Sequence, residues 1–309
     1  MPKVSVIIPT YNRAHLIGRA IQSVLDQTYQ DFEIKVVDDS SADETEEIVR
    51  KFKDKRIQYI RHTQNKGGPA ARNVGIKMAS GEFIGFLDDD DEWLPKKLEK
   101  QMRIFHGASP RIGVVYTGFW RIQDNKKTYM PVAIPRKNAG VMHENLLKQN
   151  FVDTSTAIVR RKCFNKAGMF DETLPAYQDW EMWIRISRSY DFFSLREALV
   201  NSYVTQRSIS SNYEAGLIAM EIILEKHLDE FSKDRTILAQ ILYAMGSDWC
   251  KHGKLALGRR YILRAIKAHP LKIKFFIAFF LSLFTKKIYE RGLRLRLRGW
   301  INCTLSKFI

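Results

Sequence analysis

The sequence predicts an α/β protein, a mostly parallel sheet flanked by helices, with an all-helical region at its C-terminal end. Two observations carry that reading. From Lys3 to about Phe105, strand-length apolar runs alternate with helix-length amphipathic ones, the pattern of a doubly wound parallel sheet. From Tyr213 onward the apolar spacing is helical throughout. The 309 residues and 45% apolar content suffice for one large domain with an appendage and exclude a disordered chain.

In chain order, VSVIIP from Val4, FEIKVVD from Phe32, IQYIRH from Ile57 and EFIGFLD from Glu82 read as strands. RAHLIGRAIQSVLDQ, ADETEEIVRKF, PAARNVGIKMAS and PKKLEKQMRIF read as the helices that follow them. Ser41 stands three residues before Glu44, a capping box, and Pro95 sits where a first helical turn begins. The strand ends therefore deliver Pro9, Asp38–Asp39 and Asp88–Asp91 to one edge of the sheet. In open α/β sheets ligands bind at that carboxyl edge.

The stretch from Arg111 to Arg207 mixes strands such as GVVYTGFW and TAIVRR with the helical pattern QDWEMWIRIS and polar loops at DNKK and PRKN. We expect residues 1–210 to form one domain, with a nucleotide-binding half at 1–106 and an acceptor half at 107–210. Residues 211–309 form the helical region, with breaks near Asp234, Gly253 and Pro270. Its spacing hints at helix pairs, in too few copies to define a solenoid.

The formal charge of +16 is concentrated: residues 251–309 hold fifteen Lys or Arg against Glu290 alone. These bases bracket the apolar run Phe275–Phe284, which phosphate-backbone binding does not require, so an anionic membrane surface is expected as partner and nucleic acid is not. The run is too short to cross a bilayer, which takes about 20 helical residues. The following RGLRLRLRGWINCTLSKF has the composition of an in-plane amphipathic helix. The alternative is that these apolar faces pack on the protein's own helices. Cys163, Cys250 and Cys303 are odd in number and widely spaced, which argues against a disulfide framework or zinc cluster. The N-terminal apolar run is strand-length, ends at Pro9 and lacks a basic flank, so no secretion signal is expected.

Four places suggest chemistry. FLDDDDEW sets Asp88, Asp89, Asp90 and Asp91 in succession after an apolar strand. Such crowding suits a hard divalent ion, Mg²⁺ or Mn²⁺, that bridges carboxylates to substrate phosphates; its plain alternative is a solvated acidic turn. Asp38–Asp39 ends the second strand, where a carboxylate accepts a base N–H or ribose hydroxyl, or else caps the next helix. The run Asn65-Lys66-Gly67-Gly68-Pro69-Ala70-Ala71-Arg72-Asn73 offers backbone amides and Arg72 at a helix start, a setting for an anion. It is neither GxxxxGK[ST] nor GxGxxG, so P-loop and dinucleotide readings lack their defining residues. Finally, Asp179 opens the helix of QDWEMWIR, as a dipole partner or as a general base.

Taken in order, VSVIIPTYNR, VVDDSSADET, GGPAARNVG, FLDDDDEW and QDWEMWIR closely resemble the inverting family-2 glycosyltransferases of GT-A fold, over about residues 3–207. The resemblance implies that Pro9, Thr10, Tyr11, Asn12 and Asp39 line a nucleotide base pocket, usually for uracil. It implies that Arg72, Asp88 and Asp89 contact the nucleotide and that Asp88 and Asp90 form the D-x-D metal motif, Asp90 being the direct ligand. Asp179 would take the proton of the acceptor hydroxyl as it attacks the anomeric carbon. Gln178 departs from the Glu common before the base, and Asp89 from the small residue common within the motif. Gln206-Arg207-Ser208 lacks the Trp of the QxxRW motif of processive synthases, so addition of one or a few sugars is expected.

Together these imply a metal-dependent transfer from a UDP-sugar to a saccharide hydroxyl, lipid-linked where the basic tail meets a membrane, as in bacterial surface-polysaccharide assembly. The expected place is the cytoplasm, peripheral on the inner face of the cell membrane. Two alternatives remain: a membrane-surface scaffold with an inactive transferase domain, and a sugar nucleotidyltransferase. The second would carry a glycine-rich basic loop where this chain has PTYNR.

Overall fold

Seven consecutive residues, Val4–Thr10 (β1), are buried without alternation. A strand covered on both faces takes a continuous apolar run, and this one lies inside a parallel sheet. It pairs in parallel with Phe32–Asp38 (β2) on one side and Phe83–Phe86 (β4) on the other, and β2 pairs in parallel with Ile57–Arg61 (β3). Ala14–Leu25 (α1), Thr45–Lys51 (α2) and Gly68–Met78 (α3) make the connections. The computed structural model describes residues 3–124, 126–130, 139–204 and 212–292.

Winding runs from β1 out to β2 and β3, then returns to β4 on the other side of β1, so its direction reverses between β1 and β4. The loops leaving these two strands part there, which opens a crevice at their carboxyl ends. Beyond β4 the sheet becomes mixed. It continues through Glu92–Trp93 (β5), Lys97–Gly107 (α4), Ile112–Gln123 (β6), Lys126–Met130 (β7), Ala139–Lys148 (α5), Ile158–Arg160 (β8), Lys162–Ala167 (α6), Gln178–Ser187 (α7) and Asp191–Tyr203 (β9). The sheet order is β3-β2-β1-β4-β8-β6-β9-β5, with β7 on β6; β8 runs antiparallel to both neighbours and β9 parallel to β6.

Close approach of helix to sheet fixes the crevice. α3 crosses β1 at Gly75, where a Cβ would lie 2.4 Å from Ile7 Cγ2. Without a side chain, Gly75 lets the helix backbone seat directly on the Ile7 side chain. A single three-residue turn, Thr154–Thr156, precedes β8 and lies beneath the loop after β4.

Three local expectations are corrected. Ser41 does not cap α2, which begins at Thr45; its hydroxyl accepts the Asn12 N–H at 2.8 Å, and Asp43 takes the Thr45 N–H at 3.2 Å. Arg72 lies fifth in α3, just past its first turn. The DNKK segment enters a strand rather than a loop: β7 starts at Lys126 and is an edge strand with exposed lysines. The PRKN loop, the Gln206–Ser208 segment and the RLRLRGW tail lie outside the described residues.

By contacts the chain falls into two compact units, Met1–Leu146 with Asn150–Asn212, and Leu147–Gln149 with Tyr213–Ile309. The second contains Tyr213–Lys226 (α8), Leu228–Lys233 (α9), Arg235–Lys251 (α10), Leu255–Ala268 (α11) and Ile273–Leu281 (α12). Asp234 caps α10 by accepting the Thr236 N–H at 2.7 Å and the Ile237 N–H at 3.2 Å. α10 and α11 meet through Gly246 and Gly258, with Cys250, Ile262, Ala278 and Tyr289 as the buried centre. Among the described residues no helix is long and apolar enough to cross a membrane.

Gly75→Ala should therefore destabilise the first unit by about 1–3 kcal/mol through overpacking. Urea unfolding should show a lower midpoint at constant slope; an unchanged midpoint would mean that α3 shifts off β1 without cost.

Candidate active site

The loop after β1 and the loop after β2 are sewn together by side chains of each. Besides the Asn12–Ser41 bond, Asn12 Oδ1 accepts the Ala42 N–H at 2.7 Å, and Asp43 Oδ2 accepts the Ala14 N–H at 2.9 Å. Asn12 sits at φ 51°, a left-handed conformation that asparagine tolerates better than most residues. Pro9 and Thr10 end β1 in the buried interior, whereas the Tyr11 ring beyond them is 46% exposed. An exposed aromatic side chain thereby follows the buried carboxyl end of β1.

Asp38 and Asp39 divide their work. Asp38 is fully buried, where it accepts the Ser41 N–H at 2.8 Å and the Tyr59 hydroxyl. Asp39 draws in the loop before α3, with Lys66 N–H at 2.8 Å and His62 Nδ1 at 2.7 Å on Oδ1, and Gly67 N–H at 2.6 Å on Oδ2. A carboxylate has about four acceptor positions. Three are used by these groups, which leaves one on Oδ2 for a ligand N–H or hydroxyl.

The acidic run after β4 is held from both halves of the unit. Arg13 reaches Asp90 Oδ2 at 2.5 Å and Asp89 Oδ1 at 3.3 Å, and Arg72 reaches Asp88 Oδ1 at 2.6 Å. Arg19, stacked 3.9 Å over the Tyr203 ring, donates to the Asp90 carbonyl at 2.6 Å. From below, the Ser155 hydroxyl accepts the Asp88 N–H at 3.2 Å and donates to Asp91 Oδ2 at 2.6 Å. Trp93 Nε1 donates to the Ser155 carbonyl at 2.8 Å. Burial pushes the Asp89 carboxyl up to about 7 against the pull of Arg13, with Asp88 and Asp90 adding repulsion.

Asp179 stands in the first turn of α7, partly exposed, with Asn150 Nδ2 at 3.0 Å from Oδ2 and its neighbour's Trp180 N–H at 2.7 Å from Oδ1. The residue before the helix, Tyr177, is held at φ 55°. Trp180 Nε1 donates to the Leu146 carbonyl and Trp183 Nε1 to the Val152 carbonyl, while Arg185 grips Glu181 and the Ala167 and Met169 carbonyls. Asn73 in α3 ties the approach to α7 to the nucleotide half, its side chain pairing with both the N–H and carbonyl of Phe170 at 2.9 Å. As a result the buried Arg72 feels Asp88 and Asp179 together, and so does Asp153. Burial raises the Asp179 carboxyl above its ordinary range, opposed by the hydrogen bonds from Asn150 and Trp180.

Residues 5–168 match the family model for glycosyl transferase family 2. The chain belongs to that family. It is 34% identical over 211 residues to the Escherichia coli protein UDP-Glc:alpha-D-GlcNAc-diphosphoundecaprenol beta-1,3-glucosyltransferase WfgD, which covers 68% of this chain and 80% of that one. An uncharacterised glycosyltransferase of Rickettsia bellii is 32% identical over 241 residues, 74% of this chain and 34% of the relative, so this chain spans about a third of that protein's length. Among solved structures, S. aureus TarS 1-349 in complex with UDP is similar at a TM-score of 0.67 and 23% identity, over 97% of this chain and 93% of that one. That likeness shows the GT-A fold.

The candidate site contains a group with no local sequence signal. The Asp153 carboxylate accepts the Ser155 N–H at 2.9 Å and lies within electrostatic reach of Asp88, Asp91 and Asp179. Burial and these neighbours raise both Asp153 and Asp91. The fully buried Lys97 lies 4.0 Å over the Trp93 ring and bonds Gln101 at 2.7 Å, and burial drives its pKa down. Asn73 stood inside a quoted motif without a role. Its signal was a polar side chain one residue past the anion-facing arginine, on a helix that packs against β1.

Among the described residues no three His, Cys, Asp or Glu side chains converge on a ready-made metal position. The residues nevertheless fit a hard cation. Mg²⁺ and Mn²⁺ sites in phosphate enzymes use one or two carboxylates and complete the shell with substrate phosphates and water. Asp88, at 37% the most open carboxylate of the run, and Asp90 supply that pair, and two guanidinium groups now meet the charge such an ion would meet. An open cleft of about 780 Å³, lined by Gln30, Glu33, Lys35 and Arg56, lies at the amino end of β2 and away from this chemistry.

Because the folded Asp153 pKa is raised, its burial is free below about pH 4 and costs most above the folded pKa. Asp153→Asn should raise the Tm of protein stripped of divalent ions by several degrees at pH 8 and leave it unchanged near pH 4, as read by calorimetry. An equal gain at both pH values would remove the carboxylate's charge as the cause.

Proposed function

We propose that this transferase moves one sugar at a time from a UDP-sugar to a hydroxyl of a lipid-linked saccharide, with inversion at the anomeric carbon. The single observation that carries the proposal is the setting of Arg72, whose one guanidinium is shared electrostatically between Asp88 of the acidic run and Asp179 of α7. Arg72 bonds Asp88 at 2.6 Å and lies within electrostatic range of Asp179, which supports a group for the leaving nucleotide and a base for the incoming hydroxyl on one side of the sheet.

In this reading the nucleoside base enters between Tyr11 and the remaining acceptor position of Asp39, beside Pro9, Thr10 and Asn12. Asp88 and Asp90 would hold Mn²⁺ or Mg²⁺, which supplies charge neutralisation to the diphosphate when bound. Asp89, through Arg13, sets the charge around that pair. Arg13 and Arg72 are positioned to follow the diphosphate as its negative charge grows. Asp179 Oδ2, oriented by Asn150, takes the proton of the acceptor hydroxyl as the new C–O bond forms on the face opposite the leaving oxygen. The electrons of the broken bond leave with UDP, and no covalent enzyme intermediate is required. A raised pKa suits this role, since a base is most effective when its pKa approaches the working pH.

The donor and acceptor classes rest on similarity. The E. coli relative is named for UDP-glucose and a diphosphoundecaprenol-linked sugar, and TarS was solved with UDP. An acceptor of that kind is anchored in a membrane, so the transferase would work peripherally on its cytoplasmic face.

Calorimetry with UDP, GDP and dTDP, each with and without Mn²⁺, should show metal-dependent binding selective for UDP. Asp90→Ala should abolish the metal dependence. Asp179→Asn should keep nucleotide binding within a factor of about two while turnover falls by about 10²–10⁴. If both variants kept full biological activity, transfer at this site would have no part in the protein's role and scaffolding would replace it.

A further inference from the structure

Helix α12 has two unlike faces within its own unit. Phe275, Ala278 and the following Ser282 are fully buried, with Phe275 4.9 Å from the Tyr243 ring. On the opposite side Ile273, Phe276 and Phe280 are 70%, 46% and 60% exposed, and Leu283 and Phe284 continue the series. At 100° per residue Ile273, Phe276 and Phe280 fall on one stripe about 60° wide, and the exposed Leu283 and Phe284 follow in the turn that ends α12. Leu271 before the helix and Ile288 after it are exposed as well, Leu271 at 85%. Scattered exposed apolar residues need no explanation, but a contiguous ridge of large ones marks a binding surface.

The charge around the ridge identifies what it meets. Residues 254–292 carry ten Lys or Arg and one acid, Glu290. Lys272 and Lys274 flank the start of the stripe and the exposed Lys286 and Lys287 its end, while Arg260, Arg264 and Lys267 are exposed on α11. A second copy of the chain would bring the same positive charge against itself. Residues 293–309 add four more cations and no acid, so they too repel rather than complement the ridge. Nucleic acid satisfies the charge but leaves the phenylalanines without a partner. An anionic bilayer satisfies both: the apolar stripe enters the acyl boundary while the lysines meet lipid phosphates, each cation contributing about 1 kcal/mol near the surface. With nine residues α12 is far too short to span.

We infer that the stripe Ile273, Phe276, Phe280, Leu283 and Phe284, collared by Lys272, Lys274, Lys286 and Lys287, is a docking ridge that lies in the plane of an anionic membrane. The inference rests on the membrane-surface reading of the proposed function and assigns it to named residues that do not belong to the transferase site.

The test is vesicle co-sedimentation of the full chain without nucleotide, using vesicles of pure phosphatidylcholine and of equal parts phosphatidylcholine and phosphatidylglycerol. The wild type should bind the anionic vesicles at least about tenfold more tightly, and added salt should weaken that binding. Phe276→Ser with Phe280→Ser, and separately Lys286→Glu with Lys287→Glu, should each lower binding by at least about tenfold with helicity and Tm retained. Both lysines are exposed and lie outside the buried centre of the unit, so a folding defect in the phenylalanine pair would leave the charge arm decisive. If both double variants bound like the wild type, the ridge would be overturned while the membrane reading stood. If the wild type failed to bind anionic vesicles, both would fall. If sedimentation velocity showed a wild-type dimer that the phenylalanine pair dissolved without changing vesicle binding, the ridge would be a contact between copies.

Discussion

The charge density at the end of β4 is the constraint from which the rest of the site follows. Four successive carboxylates leave a strand that is buried at every position. Two like charges about 4 Å apart in partly screened surroundings repel by on the order of 4 kcal/mol, far more than an exposed ion pair contributes. The fold meets this with two guanidinium groups from different helices, Arg13 before α1 and Arg72 in α3, and with the Ser155 hydroxyl inserted beneath the run. Burial first, and the neighbouring carboxylates after it, raise the Asp89, Asp91 and Asp153 carboxyls. A cation held by Asp88 and Asp90, as proposed, would offset the repulsion that this run of carboxylates imposes on folding.

Preorganisation comes from side chains that grip backbone rather than one another. Asp39 holds Lys66 and Gly67 N–H groups, Asn73 holds both polar atoms of Phe170, and Ser155 takes the Asp88 N–H. Each of these bonds joins segments far apart in the chain, and each fixes a loop that carries a chemically active residue. Backbone grips orient the loops themselves, while Arg72, Arg13 and Asn150 set the directions of the Asp88, Asp90 and Asp179 carboxylates. Catalytic geometry of this kind depends on loops held to within a fraction of an ångström by a rigid surround.

Much of this was legible in the sequence, for reasons that also mark its limits. The parallel strands β1, β2 and β4 announced themselves because strands covered on both faces are unbroken apolar runs bounded by polar residues. α7 was legible to its ends because QDWEMWIRIS combines a polar start with aromatic anchors at helical spacing. β9 escaped notice because Arg196 and Glu197 interrupt its middle and its pairing with β6 slips register near Gly118, so no period-two pattern survives. Asp88, Asp90 and Asp179 stood out as acids at element ends. Asp153 did not, because its importance comes from carboxylates distant in sequence that only the fold brings near. Ser41 misled for the opposite reason: its local pattern favoured a cap, but a tertiary partner, the Asn12 N–H, claimed its hydroxyl.

The two units of the chain solve different problems with different materials. The first hides charge inside a sheet protein and must balance each buried acid with a named partner, so its polar residues are few, specific and costly to change. The second is built by small residues such as Gly246 and Gly258 that let helices meet closely. Its cations are many, and in the proposed membrane contact each would be individually replaceable, because attraction to a charged surface sums over residues and does not depend on the geometry of any one. This difference predicts how each should respond to substitution. A single conservative change in the first, Asp to Asn or Arg to Lys, removes a unique hydrogen bond and should act through chemistry or local stability. A single Lys to Gln change on α11 or α12 should shift membrane affinity by only about fivefold, the equivalent of about 1 kcal/mol, with no effect on nucleotide binding. Graded loss across a series of such changes, measured on the same anionic vesicles, distinguishes additive surface attraction from recognition by a discrete pocket, in which one change would remove nearly all affinity.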